Sequence, residues 1–264
     1  MVPIAIEDPT DPRIAAYSAI KERDLTGRGD RFIVEGKITL DILVQRSRFK
    51  IESLFIADHR LSAVADILRG VPGDVPIYTA SRDLFDAIAG FPVHRGVLAC
   101  ARKGQPLALE SLARQDRVVL GIGLSNHDNV GALFRNAAGL GVKGIVLDRE
   151  SCDPLYRKAI RVSAGTALWL PYFHGQTGEA LINALKRQDH TLWALTPDKM
   201  ATPIWDKAVP ETLSLVVGAE GPGLGDDIIA ACEPVSIPMA SGVDSLNVAT
   251  AAAIAMAVVD ADRT

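Results

Sequence analysis

An α/β fold in two units is what the sequence predicts, and two observations predict it. Strand and helix signals alternate along nearly the whole chain, which argues for a mostly parallel sheet covered on both faces. The alternation also halts at Lys103-Gly104-Gln105-Pro106, a short polar segment holding both Gly and Pro, and then restarts. With 264 residues the chain is long enough for one large domain or two smaller ones. The restart favours two, at residues 1–102 and 109–264, with a linker at 103–108.

The elements follow in order. Residues 37–47 read as an amphipathic helix, with Ile38, Leu40, Ile42, Leu43 and Val44 crowding one broad face. A strand at 51–57, a helix at 61–69 and a strand at 75–79 come next. Ser81 suits the N-cap of a helix running to about Ala89, and 95–101 reads as another strand. Beyond the linker, 117–123 is a buried strand, 130–140 a helix and 144–148 a strand. A helix near 155–162, a strand near 168–173 and a helix at 177–186 follow. Strands at 191–195, 213–218 and 235–238 and a final helix at 246–260 complete the chain.

Hydrophobic residues make up 48% and charged residues 23%, which excludes global disorder. The net charge of -4 does not mark a nucleic-acid binder, so any such contact has to come from local basic patches. Cys100, Cys152 and Cys232 lie far apart without CxxC spacing. They read as small buried residues in a reducing compartment, not as a disulfide framework or zinc site. No two of the five histidines stand four residues apart, as a helical metal pair would, and no metal is expected. The N-terminus MVPIAIEDPT lacks the basic start and apolar run of a signal peptide. The most apolar stretch, 248–259, falls short of the ~20 residues that span a bilayer. A soluble, cytoplasmic protein is expected.

Charged and polar residues in apolar ground carry the functional signal. In NVGALFRNAAGLGV, residues 129–142, Arg135 is the only charge. A helix this apolar is expected to be buried, and a buried guanidinium needs an anionic or hydrogen-bonding partner. The bland alternative is a structural salt bridge. Asn129 stands at the strand-to-helix turn, where an amide also suits an N-cap. In VVGAEGPGLGDD, residues 216–227, a buried strand runs into a glycine-rich loop whose only charge before Asp226 is Glu220. Glycines there let backbone approach a ligand at the edge where open α/β sheets bind them; an ordinary tight turn is the alternative. The Lys-Ser/Thr ending of a phosphate-binding P-loop is missing. In residues 236–260 a strand breaks at Pro238 and an alanine-rich helix begins near Asn247, with Ser245 beside its entrance. A plain buried helix explains the alanines but not Ser245 and Asn247 together.

These three segments, in this order, resemble the signature motifs of the SpoU (TrmH-like) branch of the SPOUT methyltransferases. Asn129-Val130-Gly131-Ala132 with Arg135, Ala137 and Gly141 resembles motif 1. Gly218 with Glu220-Gly221-Pro222-Gly223-Leu224 resembles motif 2. Ile237-Pro238-Met239 with Ser245-Leu246-Asn247-Val248 resembles motif 3. Arg161, Ser163 and Gly165 resemble the family's Arg-x-Ser-x-Gly segment. Residues 32–36 through 95–99 are similar to an accessory substrate-binding domain related in fold to RNA-binding ribosomal proteins. The chain departs from the pattern at His127-Asp128, where members often carry Pro, and at Asn136, where many carry Thr.

The resemblance implies a 2′-O-ribose methyltransferase acting on rRNA, or on tRNA as second choice, with S-adenosylmethionine as cofactor. It also implies a deep C-terminal trefoil knot and a homodimer. Leu195, Gly218, Ile237, Met239 and Leu246 would then line the cofactor. Arg135 would be the catalytic residue, with Asn129, Ser245 and Asn247 holding it and the ribose in register and Glu220 ordering the motif 2 loop and orienting the substrate or Arg135. Arg157, Lys158 and Arg161 form a basic cluster suited to RNA. Residues 13–50 carry a second, modest excess with nine Lys/Arg, on the unit expected to select the RNA.

Two rivals stand beside this reading. A Rossmann dehydrogenase would use Gly121-Ile122-Gly123, but Asn126 replaces the third glycine and Asp148 is the nearest acid to a ribose ligand. An RNA-binding module with an inactive methyltransferase fold is the other; the intact motif residues argue against it. His127-Asp128 is not expected to act as a dyad, since adjacent residues seldom orient one another.

Overall fold

The computed structural model describes residues 2–18, 20, 29–90 and 95–260. The chain passes through β1 (Ile4–Ala5), β2 (Arg31–Glu35), α1 (Lys37–Gln45), β3 (Lys50–Ala57), α2 (Leu61–Leu68), β4 (Ile77–Ala80), α3 (Arg82–Ala89) and β5 (Val97–Arg102). It continues with α4 (Leu109–Leu112), β6 (Arg117–Gly121), α5 (His127–Gly139), β7 (Gly144–Leu147) and α6 (Arg157–Val162). Next come β8 (Tyr172–His174), α7 (Gly178–Lys186), β9 (Thr191–Leu195), β10 (Thr202–Pro203) and β11 (Leu213–Val217). The last elements are α8 (Asp226–Ala230), β12 (Glu233–Ser236) and α9 (Val248–Asp260).

These elements form two compact units, Met1–Gln105 with Leu155–Trp169, and Pro106–Pro154 with Leu170–Thr264. The chain passes from one to the other inside the expected linker. The first unit, however, also takes in the α6 segment, which a division at a single linker does not anticipate.

The first unit holds a five-stranded mixed sheet in the order β1-β4-β3-β5-β2. Neighbours β1, β4 and β3 run parallel, while β5 runs antiparallel to both β3 and β2. Phe55 stacks on Phe85 with ring centroids 4.4 Å apart. The buried Tyr17 hydroxyl lies 2.7 Å from Ser53 Oγ and accepts from the Cys100 amide at 3.2 Å. Ser81 caps α3, its Oγ accepting from the Leu84 amide at 3.4 Å. The buried face of α1 is narrower than expected: Leu40 and Leu43 are inside with Thr39, whereas Ile38 is 64% exposed. The α6 segment is anchored by an ion pair from Arg157 to Glu35 at the end of β2. Gly165, with φ +85°, lies against α1, where a Cβ would come within 2.9 Å of Ile42 Cδ1.

The second unit is a seven-stranded, wholly parallel sheet in the order β10-β12-β9-β11-β6-β7-β8. Side chains alternate between faces along each strand. Val118, Leu120, Val146, Leu192, Ala194 and Val216 join Leu112 of α4 and Leu181, Ile182 and Leu185 of α7 in one core. On this unit α5 packs against β7, and α9 against β11 and α5. His190 is buried and fully used: Nε2 lies 2.9 Å from the Ala113 carbonyl and Nδ1 2.8 Å from Ser214 Oγ. A carbonyl only accepts, so Nε2 carries the proton and Ser214 donates to Nδ1. Burial pushes the His190 pKa down.

Two expected strands shift. The strand foreseen at 168–173 is only Tyr172–His174, because Gly165 opens a 3-10 turn over Thr166–Leu168 and Pro171 offers no amide to a ladder. The strand foreseen at 235–238 is Glu233–Ser236, ending before Pro238. The short β1, β10, α4 and α8 give too little periodic signal to be foreseen. The three cysteines are free; Cys100 is buried, while Cys152 and Cys232 are only half-buried.

Candidate active site

Three loops leave the carboxyl ends of parallel strands in the second unit, where open α/β sheets place their ligands. The loop after β11 folds back on itself, with Ala219 and Gly223 bridged and the Gly223 amide donating to Ala219 O at 3.1 Å. Gly221 and Gly223 hold φ of +89° and +70° there, values that disfavour other residues. Gly218 is demanded by space instead: a Cβ would lie 2.5 Å from the Gly223 carbonyl carbon.

The turn after β6 is pinned from beneath by the buried carboxylate of Asp148. Its Oδ1 accepts from the Gly123 amide at 3.0 Å and from the Ser151 hydroxyl at 2.6 Å. Asn126 then caps α5, its Oδ1 accepting from the Asp128 amide at 2.9 Å. Asn129 is therefore not the cap. It lies in the first turn of α5, buried, and its side chain turns to α9.

Asn247 joins the three motif segments. Its Nδ2 donates to Asn129 Oδ1 at 2.9 Å and to Glu220 Oε1 at 2.8 Å. Its Oδ1 accepts from the Ala249 and Thr250 amides at 3.0 and 3.3 Å, capping α9. Each polar atom of one amide is used, so Asn247 is a hub rather than a free ligand group. One residue that the motifs alone do not flag belongs to the same seam: Asn136 Nδ2 donates to Ala249 O at 3.0 Å. Asn129 and Asn136 are seven residues apart, two helical turns, and so share a face of α5.

A cleft of about 440 Å³ opens over these loops. Leu195, Gly218, Ile237, Met239 and Leu246 all line it, with Glu220, Ser245 and Asn247. Thr196 and Pro197, which extend the β9 edge beyond Leu195, also line it and carry no motif signal. A second hollow of about 490 Å³ shares Thr196, Pro197, Ile237 and Met239 and adds Asp198, Lys199 and Asp244.

Asn129 and Arg135 are not among the lining residues. Asn129 reaches the cleft through Asn247. Arg135 corrects the expectation of a buried, partnered guanidinium: it is exposed, and no ion pair to it occurs among the described residues. The cause is helical periodicity. Val130, Leu133, Phe134 and Ala137 bury one side of α5, and Arg135 projects from the other. In the first unit Arg157 is held by Glu35, Lys158 is half-buried and Arg161 is exposed. Among the described residues no group of three His, Cys, Asp or Glu converges on a possible metal position.

The geometry speaks against a dinucleotide fold. Asp148, the nearest candidate for a ribose ligand, is consumed by the turn beside it. A Cβ on Gly121 would meet Leu124 and Leu147 side chains within 3 Å, so that glycine serves packing, not a pyrophosphate.

Residues 116–257 match the model of the SpoU rRNA methylase family. The chain belongs to this family. A Mycobacterium tuberculosis H37Rv protein named as an uncharacterized tRNA/rRNA methyltransferase is 39% identical over 257 residues, covering 94% of this chain and 88% of its own. The 23S rRNA (guanosine-2′-O-)-methyltransferase RlmB of Pectobacterium atrosepticum is 28% identical, covering 85% of this chain and 95% of its own. Among solved structures, the AdoMet-bound rRNA methyltransferase of Sinorhizobium meliloti superposes with a TM-score of 0.80 at 21% identity, over 99% of this SpoU-family chain and 98% of its own. The SpoU methyltransferase AviRb of Streptomyces viridochromogenes, in complex with AdoMet, gives 0.78 at 22% identity, over 89% and 91%. At these identities the superpositions establish the shared fold.

Proposed function

We propose that this SpoU-family protein transfers a methyl group from S-adenosylmethionine to a ribose 2′-hydroxyl of RNA, ribosomal RNA ahead of transfer RNA. The observation that carries the reading is the cleft itself. Three sequence-distant segments converge on it, and Asn247 ties Glu220 to Asn129 at its edge. The residues fit the cofactor. The volume lies within the ~300–1,000 Å³ of small-molecule sites, Leu195, Ile237, Met239 and Leu246 offer apolar walls for an adenine, and Gly218 lets the loop after β11 fold tightly at the edge of the cleft.

When bound, S-adenosylmethionine supplies an electrophilic methyl group on a sulfonium. The protein has to place the ribose hydroxyl in line with that methyl and help remove its proton. Arg135 stays charged at neutral pH and is a poor base; it clamps an RNA phosphate and polarises the hydroxyl. Its exposed position suits contact with a macromolecule. Ser245 lines the cleft and offers the ribose a hydrogen bond. Asn129, Asn247 and Glu220 hold the loops in register.

The same reading includes a C-terminal trefoil knot and a homodimer. Supporting both, β12 is inserted between β10 and β9 while α9 returns to pack on α5. The alanine-rich α9 also keeps Ala253, Ile254 and Val258 half-exposed. A cytoplasmic location fits an enzyme of ribosomal RNA. Mapping 2′-O-methyl nucleotides across total RNA, with and without the gene, tests the function. Loss of a site on rRNA is expected, and an unchanged map would overturn the reading.

A further inference from the structure

Asp148, directly after β7, is only 3% exposed, and no ion pair to it occurs among the described residues. Burying a carboxylate without a cation is costly unless hydrogen bonds replace its water. Three donors do so here, all at one oxygen. Oδ1 accepts from the Gly123 amide at 3.0 Å, the Ser151 amide at 2.9 Å and the Ser151 hydroxyl at 2.6 Å. The Asp148 amide in turn donates to the Gly121 carbonyl at 3.1 Å, at the ends of the neighbouring strands β6 and β7. Ser151 extends the brace: its Oγ accepts from the Leu124 amide at 3.0 Å, and the Cys152 amide donates to the Leu124 carbonyl at 2.9 Å. His174 Nε2 lies 2.9 Å from the Ser151 carbonyl; a carbonyl only accepts, so Nε2 donates. Two successive amides and one carbonyl of the turn after β6 are thus fixed, with Gly123 at φ +66°.

This turn is where α5 begins. Asn126, the cap, stands two residues past Leu124, and Arg135 follows nine residues after Asn126. At 1.5 Å per residue that distance is about 13 Å, so a change of ~5° in helix direction at the cap moves the backbone of Arg135 by about 1 Å. A displacement of that size at a reacting group costs about 10²-fold in rate. The bonds from Asn129 to Asn247 and from Asn136 to Ala249 tie one flank of α5 to α9; the braced turn sets its end. We infer that Asp148 is a positioning residue for methyl transfer: through Gly123 and Ser151 it holds the turn from which α5 starts, and through α5 it aims Arg135. The inference rests on the proposed role of Arg135.

The test measures kcat in full-length protein with saturating labelled S-adenosylmethionine and an unmodified rRNA transcript. Asp148→Ala should lower kcat at least about tenfold, while the Kd for S-adenosylhomocysteine stays within about twofold, because the loss falls on the transition state. Asp148→Asn keeps an oxygen that accepts from the Gly123 amide, so kcat should return to within about threefold of wild type. In an Arg135→Ala background, Asp148→Ala should cost no more than about twofold further, since groups acting as a unit are not additive. Ser214→Ala, which breaks a buried bond at the other end of β11, controls for lost stability alone and should keep wild-type kcat. If Asp148→Ala no longer binds S-adenosylhomocysteine, Ser151→Ala decides. It frees the Leu124 amide and should lower kcat about threefold or more with cofactor affinity kept. Wild-type kcat in the deciding variant, an Asp148→Asn no more active than Asp148→Ala, a full further loss in the Arg135→Ala background, or an equal loss in Ser214→Ala would each overturn the inference. A wild type that methylates no RNA, or full activity in Arg135→Ala, would instead sink the reading beneath it.

Discussion

Helix α5 carries one arginine among apolar residues, α6 two arginines and a lysine, and the structure gives Arg135 and Arg157 opposite lives. Arg157 of α6 is enclosed and neutralised by Glu35. Arg135 of α5 stands in solvent, while its helix buries Val130, Leu133, Phe134 and Ala137. A basic side chain on a helix therefore does not by itself say what it does there. The face it occupies decides. Arg157 faces inward and pairs with Glu35, whereas Arg135 faces outward, the position that the proposed contact with RNA requires.

The sharpest way to break this contrast is to remove each charge's reason for being. Glu35→Ala removes the carboxylate that pairs with the largely buried Arg157 and should destabilise the protein by about 1–3 kcal/mol, read as a lower midpoint in urea unfolding. A loss below 1 kcal/mol would mean that Arg157 finds water or another partner. Arg135→Ala should do the reverse. Stability should stay within ~0.5 kcal/mol, as for surface positions without structural roles, while methyl transfer falls at least ~10²-fold and S-adenosylhomocysteine binding persists. Full activity in that variant would remove Arg135 from the chemistry.

Gly218→Ala sharpens the picture of the cleft. The added methyl meets backbone rather than a yielding side chain, so a cost of about 1–3 kcal/mol and loss of S-adenosylhomocysteine binding are expected. Normal binding would show that the loop gives way. The smallest effect concerns His190. Its pKa is lowered by burial, so the unfolded chain takes up a proton first as pH falls. Stability from this group is complete above the ordinary histidine pKa of about 6.5 and declines as pH drops from there toward the lowered folded value. Ser214→Ala should cost about 1 kcal/mol by orphaning Nδ1. Unfolding midpoints at pH 7.5 and 5.5 check both.

Much of the site was legible because the cofactor candidates lie just past strand ends, where a parallel sheet puts its loops. Of the residues that the resemblance implies, Leu195, Gly218, Ile237 and Met239 line the cleft at or within three residues of a strand end, and Leu246 lines it from the entrance of α9. What stayed hidden depends on pairs distant in sequence. Asn129 reads equally well as a cap or as a ligand to something; only the fold shows Asn126 taking the capping role and Asn129 meeting Asn247, 118 residues away. The Glu35–Arg157 pair spans 122 residues, and with it the attachment of α6 to the first unit. That segment, residues 155–169, clusters with the first unit although it follows the linker in sequence.

The central claim, ribose methylation of RNA, is tested most directly with purified full-length protein, an unmodified rRNA transcript and S-adenosylmethionine labelled in its methyl group. After digestion to nucleosides, the account predicts that the label resides in a 2′-O-methylated nucleoside and that Arg135→Ala abolishes it. Label in a base-methylated nucleoside, or no transfer from a protein that binds both cofactor and RNA, would contradict it.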